Sequence, residues 1–490
     1  MKFRLILMGM VLCIAQGHAQ NNKGNLHEFF EEFRRDAHKE FDDFRQQCME
    51  EFLEFVKNPW KEFEEEKPVP APKEDLLPPV TIPEEERGKP IEDKPVIIEE
   101  VVQPQPVEPQ PVPVSPIEEV PVENDKYVNF TFFGTPSKVR FDLADRVIME
   151  SIDENSVANA LNAMSEGSYD NLILDCLALR ENLQLSDWCY LQMLKILAEE
   201  ISGTGTNEAT VLLAYLFMQS GYQMRIASDG SRLYMLYASK YQIFDQNSYT
   251  MDNTQYYGVE PLPSRLYICQ AAFPGEKMLS LGIYKDQHLA RLMTEEIKRA
   301  SSNHPEIACN VSVNRNQIDF YNSYPSSMVG GDFMTRWAMY ANTPLSQELR
   351  TQMYTQLKKH IDGKSQQDAV NILLDFVQWA FAYEYDDKVW GHDRAFFAEE
   401  TLFYPYADCE DRAIFFSRLV RDFVGLKVVL VFYPGHLATA VQFTDAAVPG
   451  DYLELQGMRF VVCDPTYIGA PVGVTMKGMD NSGAKIILLD

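Results

Sequence analysis

The sequence predicts a mixed α+β protein with more than one folded part, on three observations. Apolar residues recur at helical spacing over 153–165, 188–202, 207–219, 344–360, 366–382 and 409–424. Runs rich in β-branched and aromatic residues lie among them: Arg232–Tyr237, Tyr241–Phe244, Leu266–Ala272, Ala308–Val313, Lys427–Tyr433, Leu437–Phe443, Arg459–Cys463 and Lys485–Leu489. The chain has 490 residues, 46% of them apolar, which is more than one minimal core requires.

Taken in order, the first segment reads as an export signal. Lys2 and Arg4 precede the apolar stretch Leu5–Ile14, and Gly17-His18-Ala19 offers a small-x-small cleavage site. Residues 1–19 are therefore expected to be a signal peptide, and the mature chain to be exported, periplasmic or secreted. Cys13 follows Leu12 rather than a small residue, so it reads as part of the apolar stretch and not as a lipid-attachment site. No later segment is apolar for long enough to predict a transmembrane helix. The net charge of −28 argues against nucleic acid or anionic membrane as a partner. Seven cysteines follow the signal, with no CxxC pair, which argues against a zinc site or a dense disulfide framework and leaves an odd thiol free.

Residues 20–63 predict one long amphipathic helix. Phe29, Phe30, Phe33, Ala37, Phe41, Phe44, Cys48, Phe52, Phe55 and Phe63 fall mostly three or four apart, and the other faces are acidic with interspersed Arg and Lys. Two readings stay open: self-association or docking through residues 26–63, or a helix that folds back over the main body. Residues 64–125 hold more than half of the chain's 28 Pro amid Glu and Val, and read as an extended polyproline-like linker that spaces the body from the N-terminus. Residues 21–125 carry 28 acidic against 12 basic side chains, so much of the net charge lies ahead of the folded part.

The chemistry concentrates near the C-terminus. Cys409 stands at the start of a helix whose buried stripe is Ala413, Phe416, Val420 and Phe423, ended by Gly425. A thiol at a helix N-terminus meets the positive end of the macrodipole, which favours thiolate. A strand over Lys427–Phe432, a Pro434-Gly435 turn and a second strand opened by His436 follow, and the strand Arg459–Cys463 ends at Asp464-Pro465-Thr466. Thiolate, imidazole and carboxylate each come from the end of a separate element, where side chains can converge on a cleft.

Tyr406-Ala-Asp-Cys-Glu-Asp-Arg-Ala413, followed by His436 and Asp464-Pro465-Thr466, resembles the transglutaminase-like superfamily over about residues 366–470. The wording Asp408-Cys409-Glu410-Asp411 is similar to that of bacterial periplasmic transglutaminase-like cysteine proteinases. The resemblance implies a papain-like fold with permuted elements in the C-terminal domain, with Cys409 as nucleophile, His436 as general acid and base, and Asp464 as its orienter. It implies an oxyanion hole from the Cys409 amide and an upstream side chain, for which Trp390, Tyr404 and Tyr406 are the candidates. No cofactor is required. Asp408, Glu410 and Asp411 crowd the thiol with negative charge, which has two non-exclusive explanations. Asp408 with Asp411 makes a capping-box-like helix start, and the resemblance implies that acidic residues flanking the cysteine associate with calcium, a hard cation suited to oxygen ligands.

Residues 188–245 read as a degenerate copy of the same core. The interval Ala209 to Gly221 equals that from Ala413 to Gly425, which places Gly205 at the Cys409 position, Arg232 at the His436 position, and Tyr241–Asp245 against Phe460–Asp464. The expected organisation is therefore a degenerate transglutaminase-like domain over 126–265, a β-rich region over 266–343 and a catalytic domain over 344–490. The expected function is an exported thiol hydrolase, a peptidase or amidase with a thioester intermediate on a protein or peptide substrate. The rivals are a protein-glutamine transamidase and a catalytically inactive papain-like binding scaffold.

Overall fold

A computed structural model describes residues 47–73, 76–104, 106–113, 117, 119, 126–166, 169–329 and 332–490. The expected signal peptide and most of the Phe-rich helix lie outside the described residues. The chain divides into two compact units, Met1–Phe52 and Leu53–Asp490. Of the first, the described residues 47–52 are helical. Helix continues only to residue 56, whereas the sequence reading carried it to 63. Asn58-Pro59 explains the difference: the residue before a proline is pushed out of the α region, and proline itself has no N–H to continue the ladder. Lys61–Glu64 is instead a strand, paired antiparallel with Arg265–Ile268.

The second unit is mixed α+β and is organised on two sheets. One has six antiparallel strands in the order Lys61–Glu64, Arg265–Ile268, Met224–Ser228, Leu233–Ser239, Thr254–Gly258, Ser248–Met251. The other has seven, in the order Lys94–Pro95, Asp451–Leu455, Met458–Cys463, His436–Gln442, Lys427–Tyr433, Lys485–Leu488, Glu100–Val102. Val429, Val431, Ala438, Ala440, Phe460, Val462 and Ile486 share one buried core in the second sheet, at the alternating positions that a strand's two-residue period puts on one face. The helix Cys409–Leu419 packs against the hairpin Lys427–Tyr433/His436–Gln442.

The described residues of the Pro-rich stretch are largely extended, apart from a 3-10 turn at Glu84–Glu86, and they are no free spacer. Lys94–Pro95 and Glu100–Val102 form the two parallel edges of the seven-stranded sheet, and Val80–Thr81 pairs in parallel with Tyr467–Ile468. Edge positions tolerate proline because only one side of the strand must donate. The region 266–343, expected to be largely β, is mixed: its strands are short, and it carries the helices Arg315–Asn322 and Thr335–Asn342.

The two sheets repeat one plan. In each, a helix leads into a hairpin, Met224–Ser228/Leu233–Ser239 in the first and Lys427–Tyr433/His436–Gln442 in the second. A second hairpin pairs onto the outer strand of the first hairpin, and a later strand, Arg265–Ile268 or Lys485–Leu488, pairs onto its inner strand. The alignment drawn from sequence needs correction at two places. Tyr241–Ile243 pairs with Ser327–Val329 in a separate ribbon, and the strand matching Met458–Cys463 is Thr254–Gly258. The matching helix starts at Asn207 on the N-cap Thr206, so Asn207 rather than Gly205 corresponds to Cys409 on its N-cap Asp408. With Arg232 opposite His436, the register brings Glu260 to the place of Asp464, and Arg232 and Glu260 form an ion pair. Asn207 Oδ1 accepts the Leu233 N–H at 2.8 Å, at the position where the Leu437 N–H faces the Cys409 sulfur.

Candidate functional site

Cys409 is the first residue of its helix because Asp408 caps it. Asp408 Oδ1 accepts the Asp411 N–H at 3.5 Å, and Asp411 Oδ2 accepts the Asp408 N–H at 3.4 Å. The other Asp411 oxygen accepts the Phe396 N–H at 2.7 Å. Arg412, buried one turn below, donates to the carbonyls of Ala407, Gln378 and Phe381 at 3.1, 3.1 and 2.9 Å. It thereby ties the loop before the cysteine to the end of the helix Gln366–Trp379.

His436 opens its strand directly after the Pro434-Gly435 turn, where Gly435 takes the positive φ of 75° that the two-residue connection requires. The neighbouring strand pairs Thr439 with Cys463, so the residues just beyond Cys463 come back beside His436. His436 Nε2 donates to Asp464 Oδ2 at 2.8 Å. Asp464 Oδ1 accepts the N–H groups of Thr466 and Tyr467 at 2.9 and 3.0 Å, which fixes the carboxylate. Gln378 holds the following loop, its Nε2 reaching the carbonyls of Asp464, Tyr467 and Ala470 and its Oε1 accepting the Gly469 N–H. With Nε2 committed to Asp464, Nδ1 is the nitrogen left for proton transfer.

His436 and Asp464 thus come together at one end of the seven-stranded sheet, and Cys409 opens the helix that packs against the same hairpin. All three are buried, Cys409 and His436 at 1% exposure and Asp464 at 2%. The nearby Leu437 N–H favours thiolate slightly, but the Cys409 S–H donates to Glu410 Oε2 at 3.2 Å. Burial, and then the charges of Glu410 and Asp408, push the thiol well above its ordinary range, against the macrodipole's pull. In this arrangement Cys409 is a neutral thiol.

The acidic residues divide by role. One Asp411 oxygen serves the helix start and the other holds the Phe396 N–H, so the contacts of Asp411 are those of the capping reading. Asp386, which the sequence reading missed, takes its place. Donor atoms of Asp386, Asp408 and Glu410 lie within 4.8 Å of one another, all three residues buried. Asp408 Oδ2 and Glu410 Oε1 have no hydrogen-bond partner among the described residues. Burial followed by the Glu410 charge raises the Asp386 carboxyl to about 8, and burial holds Asp408 and Glu410 up as well. Two orphaned oxygens in a buried carboxylate triad fit a hard divalent cation such as calcium.

The three oxyanion candidates form one aromatic cluster. The ring centres of Trp390 and Tyr404 are 5.0 Å apart, and those of Tyr404 and Tyr406 are 6.2 Å apart and stacked. The Arg394 guanidinium lies 4.3 Å from the Trp390 ring. Tyr404 is committed, donating to Asn322 Oδ1 at 3.2 Å, whereas Trp390 Nε1 is buried without an acceptor among the described residues. Tyr383, not singled out in the sequence, is a fourth candidate. Its buried hydroxyl has no partner among the described residues, and the nearby Cys409, Asp408 and Glu410 oppose its ionisation after burial does. Only the alternation of tyrosines at 383 and 385 before Asp386 hinted at it.

No family model, curated protein or solved structure matches this chain.

Proposed function

We propose that this chain is an exported thiol hydrolase, a peptidase or amidase, that acts through Cys409, His436 and Asp464 on a protein or peptide substrate. The observation that carries the reading is the fixed His436–Asp464 pair on the hairpin against which the helix opened by Cys409 packs. Sulfur adds to the acyl carbon as the thiol proton passes to His436 Nδ1. The amine leaves with that proton, and water, deprotonated by the same imidazole, cleaves the thioester. Asp464 keeps the Nε2–H tautomer throughout. The Cys409 amide with Trp390 Nε1 or the Tyr383 hydroxyl would receive the oxyanion. Asp386, Asp408 and Glu410 would hold a divalent cation, whose charge offsets the carboxylates that hold the thiol neutral. The resemblance to the transglutaminase-like superfamily and the signal-like N-terminus supply the enzyme class and the export.

One observation favours the scaffold reading: the thiol is satisfied by Glu410 rather than left for His436. An acyl-trapping experiment separates them. p-Nitrophenyl acetate should leave an acetyl group on Cys409, seen by mass spectrometry at acid quench, in wild type and not in His436→Ala. A fluorescent primary amine added to the reaction should remain unincorporated if hydrolysis is the chemistry. An absent adduct at Cys409, or equal adducts in both proteins, would leave the scaffold.

A further inference from the structure

Residues 69–73 and 76–82 run past the candidate site and touch its elements through their backbone. At the upstream end the Asp245 N–H donates to the Val69 carbonyl at 2.9 Å. Pro70–Lys73 and Leu76 then face Tyr385–Lys388 and Gly391–Asp393 across a cavity of about 520 Å³ whose wall includes Asp386. The Leu77 N–H donates at 2.8 Å to the carbonyl of Gly435, the residue before His436. Val80–Thr81 pairs in parallel with Tyr467–Ile468, and the Ile82 N–H donates to the Ile468 carbonyl at 2.9 Å. Tyr467 is itself hung from Asp464 by its N–H. The contacts therefore bracket the His436–Asp464 pair, one beside each partner.

The side chains contribute little to this docking. Leu77 is 38% exposed and Val80 41%, and among the described residues of the segment Ile82 alone is fully buried, against Tyr467, Ala470 and Met476. A track that binds main chain and leaves alternate side chains outward accepts any extended polypeptide, the β-addition mode of peptide recognition. The cavity beneath Pro70–Leu76 continues that track toward the acidic triad.

We propose that Gly435, Tyr467 and Ile468, with the cavity walled by Tyr385–Lys388 and Gly391–Asp393, form the groove that receives substrate as an extended polypeptide, and that residues 69–73 and 76–82 occupy it as an intramolecular competitor. The inference rests on the hydrolase reading for its chemistry and on these backbone contacts for its geometry. It identifies the substrate class as an unfolded or loop segment rather than a small amide, and makes displacement of the N-terminal segment the step that opens the site.

The test is the rate at which iodoacetamide alkylates Cys409 in the full chain, with Cys463, fully buried in the adjacent strand, as an internal reference for folding. Leu77→Pro removes the N–H held by Gly435 at an exposed position, and Ile82→Ala weakens the far anchor without touching the backbone. Each should raise Cys409 labelling at least tenfold while Cys463 stays unlabelled. A synthetic peptide of residues 69–82 should return the Leu77→Pro rate toward that of wild type. Unchanged labelling in both variants, or indifference to the peptide, overturns the proposal. Should Leu77→Pro label Cys463 and so prove unfolded, Ile82→Ala with the peptide decides alone. Faster labelling that ignores His436 would support the covering segment while removing the hydrolase reading. Labelling that depends on His436 but is equal in wild type and both variants would do the reverse.

Discussion

Asp411 and Asp386 show how chemistry and position part at the level of single residues. Asp411 has a ligand's chemistry but spends one oxygen on the helix start and the other on the Phe396 N–H, so Asp411→Asn should cost about 0.5–2 kcal/mol of stability and leave any response to calcium intact. Asp386→Asn should do the opposite. Calcium at a hundred times its Kd should stabilise wild type by about 2.7 kcal/mol, and this gain should vanish in Asp386→Asn. Thermal melts with calcium and with chelator check both. A calcium gain that persists in Asp386→Asn would exclude the triad as the site. Gln378 is the corresponding silent residue behind Asp464, and Gln378→Leu, which orphans the carbonyls it holds, should lower stability by about 1–3 kcal/mol in denaturant titration. Cys409, His436 and Asp464 were legible in the sequence because each stands at the end of an element with a local signature. Asp386, Tyr383 and Gln378 were not, because helix and loop packing brings them in from more than twenty residues away.

Among the elements, the short helix Ala398–Phe403 gives the clearest pH dependence. Burial raises the Glu399 carboxyl to about 6 and the Glu400 carboxyl to about 7, the latter despite the Arg394 ion pair. A carboxyl whose folded value lies above its unfolded one favours folding below the unfolded value of about 4.5, and that contribution is lost as pH rises through the folded value. The melting temperature should therefore fall between pH 5 and pH 8, with a shallower slope in Glu400→Gln. A flat profile, or an equal slope in the variant, would contradict the burial. Element identity was legible where period and caps agreed, as at Ser365 before Gln366–Trp379 or Asp408 before Cys409–Leu419. It was not legible for Tyr169–Asn182, whose apolar residues run round the helix instead of along one side. Nor could the Pro-rich edge strands be read, since their pairing is made by backbone that composition does not distinguish from linker.

Across the whole molecule, the repeated sheet plan explains why the sequence showed two related halves and yet misaligned them. The two hairpins pair in the same register across their turns, but the helix start Asn207 lies 25 residues before Arg232 whereas Cys409 lies 27 before His436, so a single offset cannot serve both helix start and strands. Corrected, the first half holds Asn207, Arg232 and Glu260 where the second holds Cys409, His436 and Asp464, an ion pair and an amide in place of a nucleophilic set. An architectural role for the first half makes a definite prediction. Asn207→Ala, which leaves the Leu233 N–H without its acceptor, should destabilise the chain by about 1–3 kcal/mol while leaving the Cys409 alkylation rate of the folded protein unchanged. A changed rate would mean that the first half acts on the site.

The most direct measurement of the central claim is the ratio of Cys409 alkylation rates in wild type and His436→Ala at neutral pH. Any segment that covers the thiol covers it equally in both proteins, so the ratio isolates what the imidazole does. A thiolate–imidazole pair predicts a ratio of about 100 or more, the range that positioned acid–base groups contribute. A ratio near one would mean that Cys409 remains the neutral, Glu410-bound thiol, and that the triad is a retired catalytic fold.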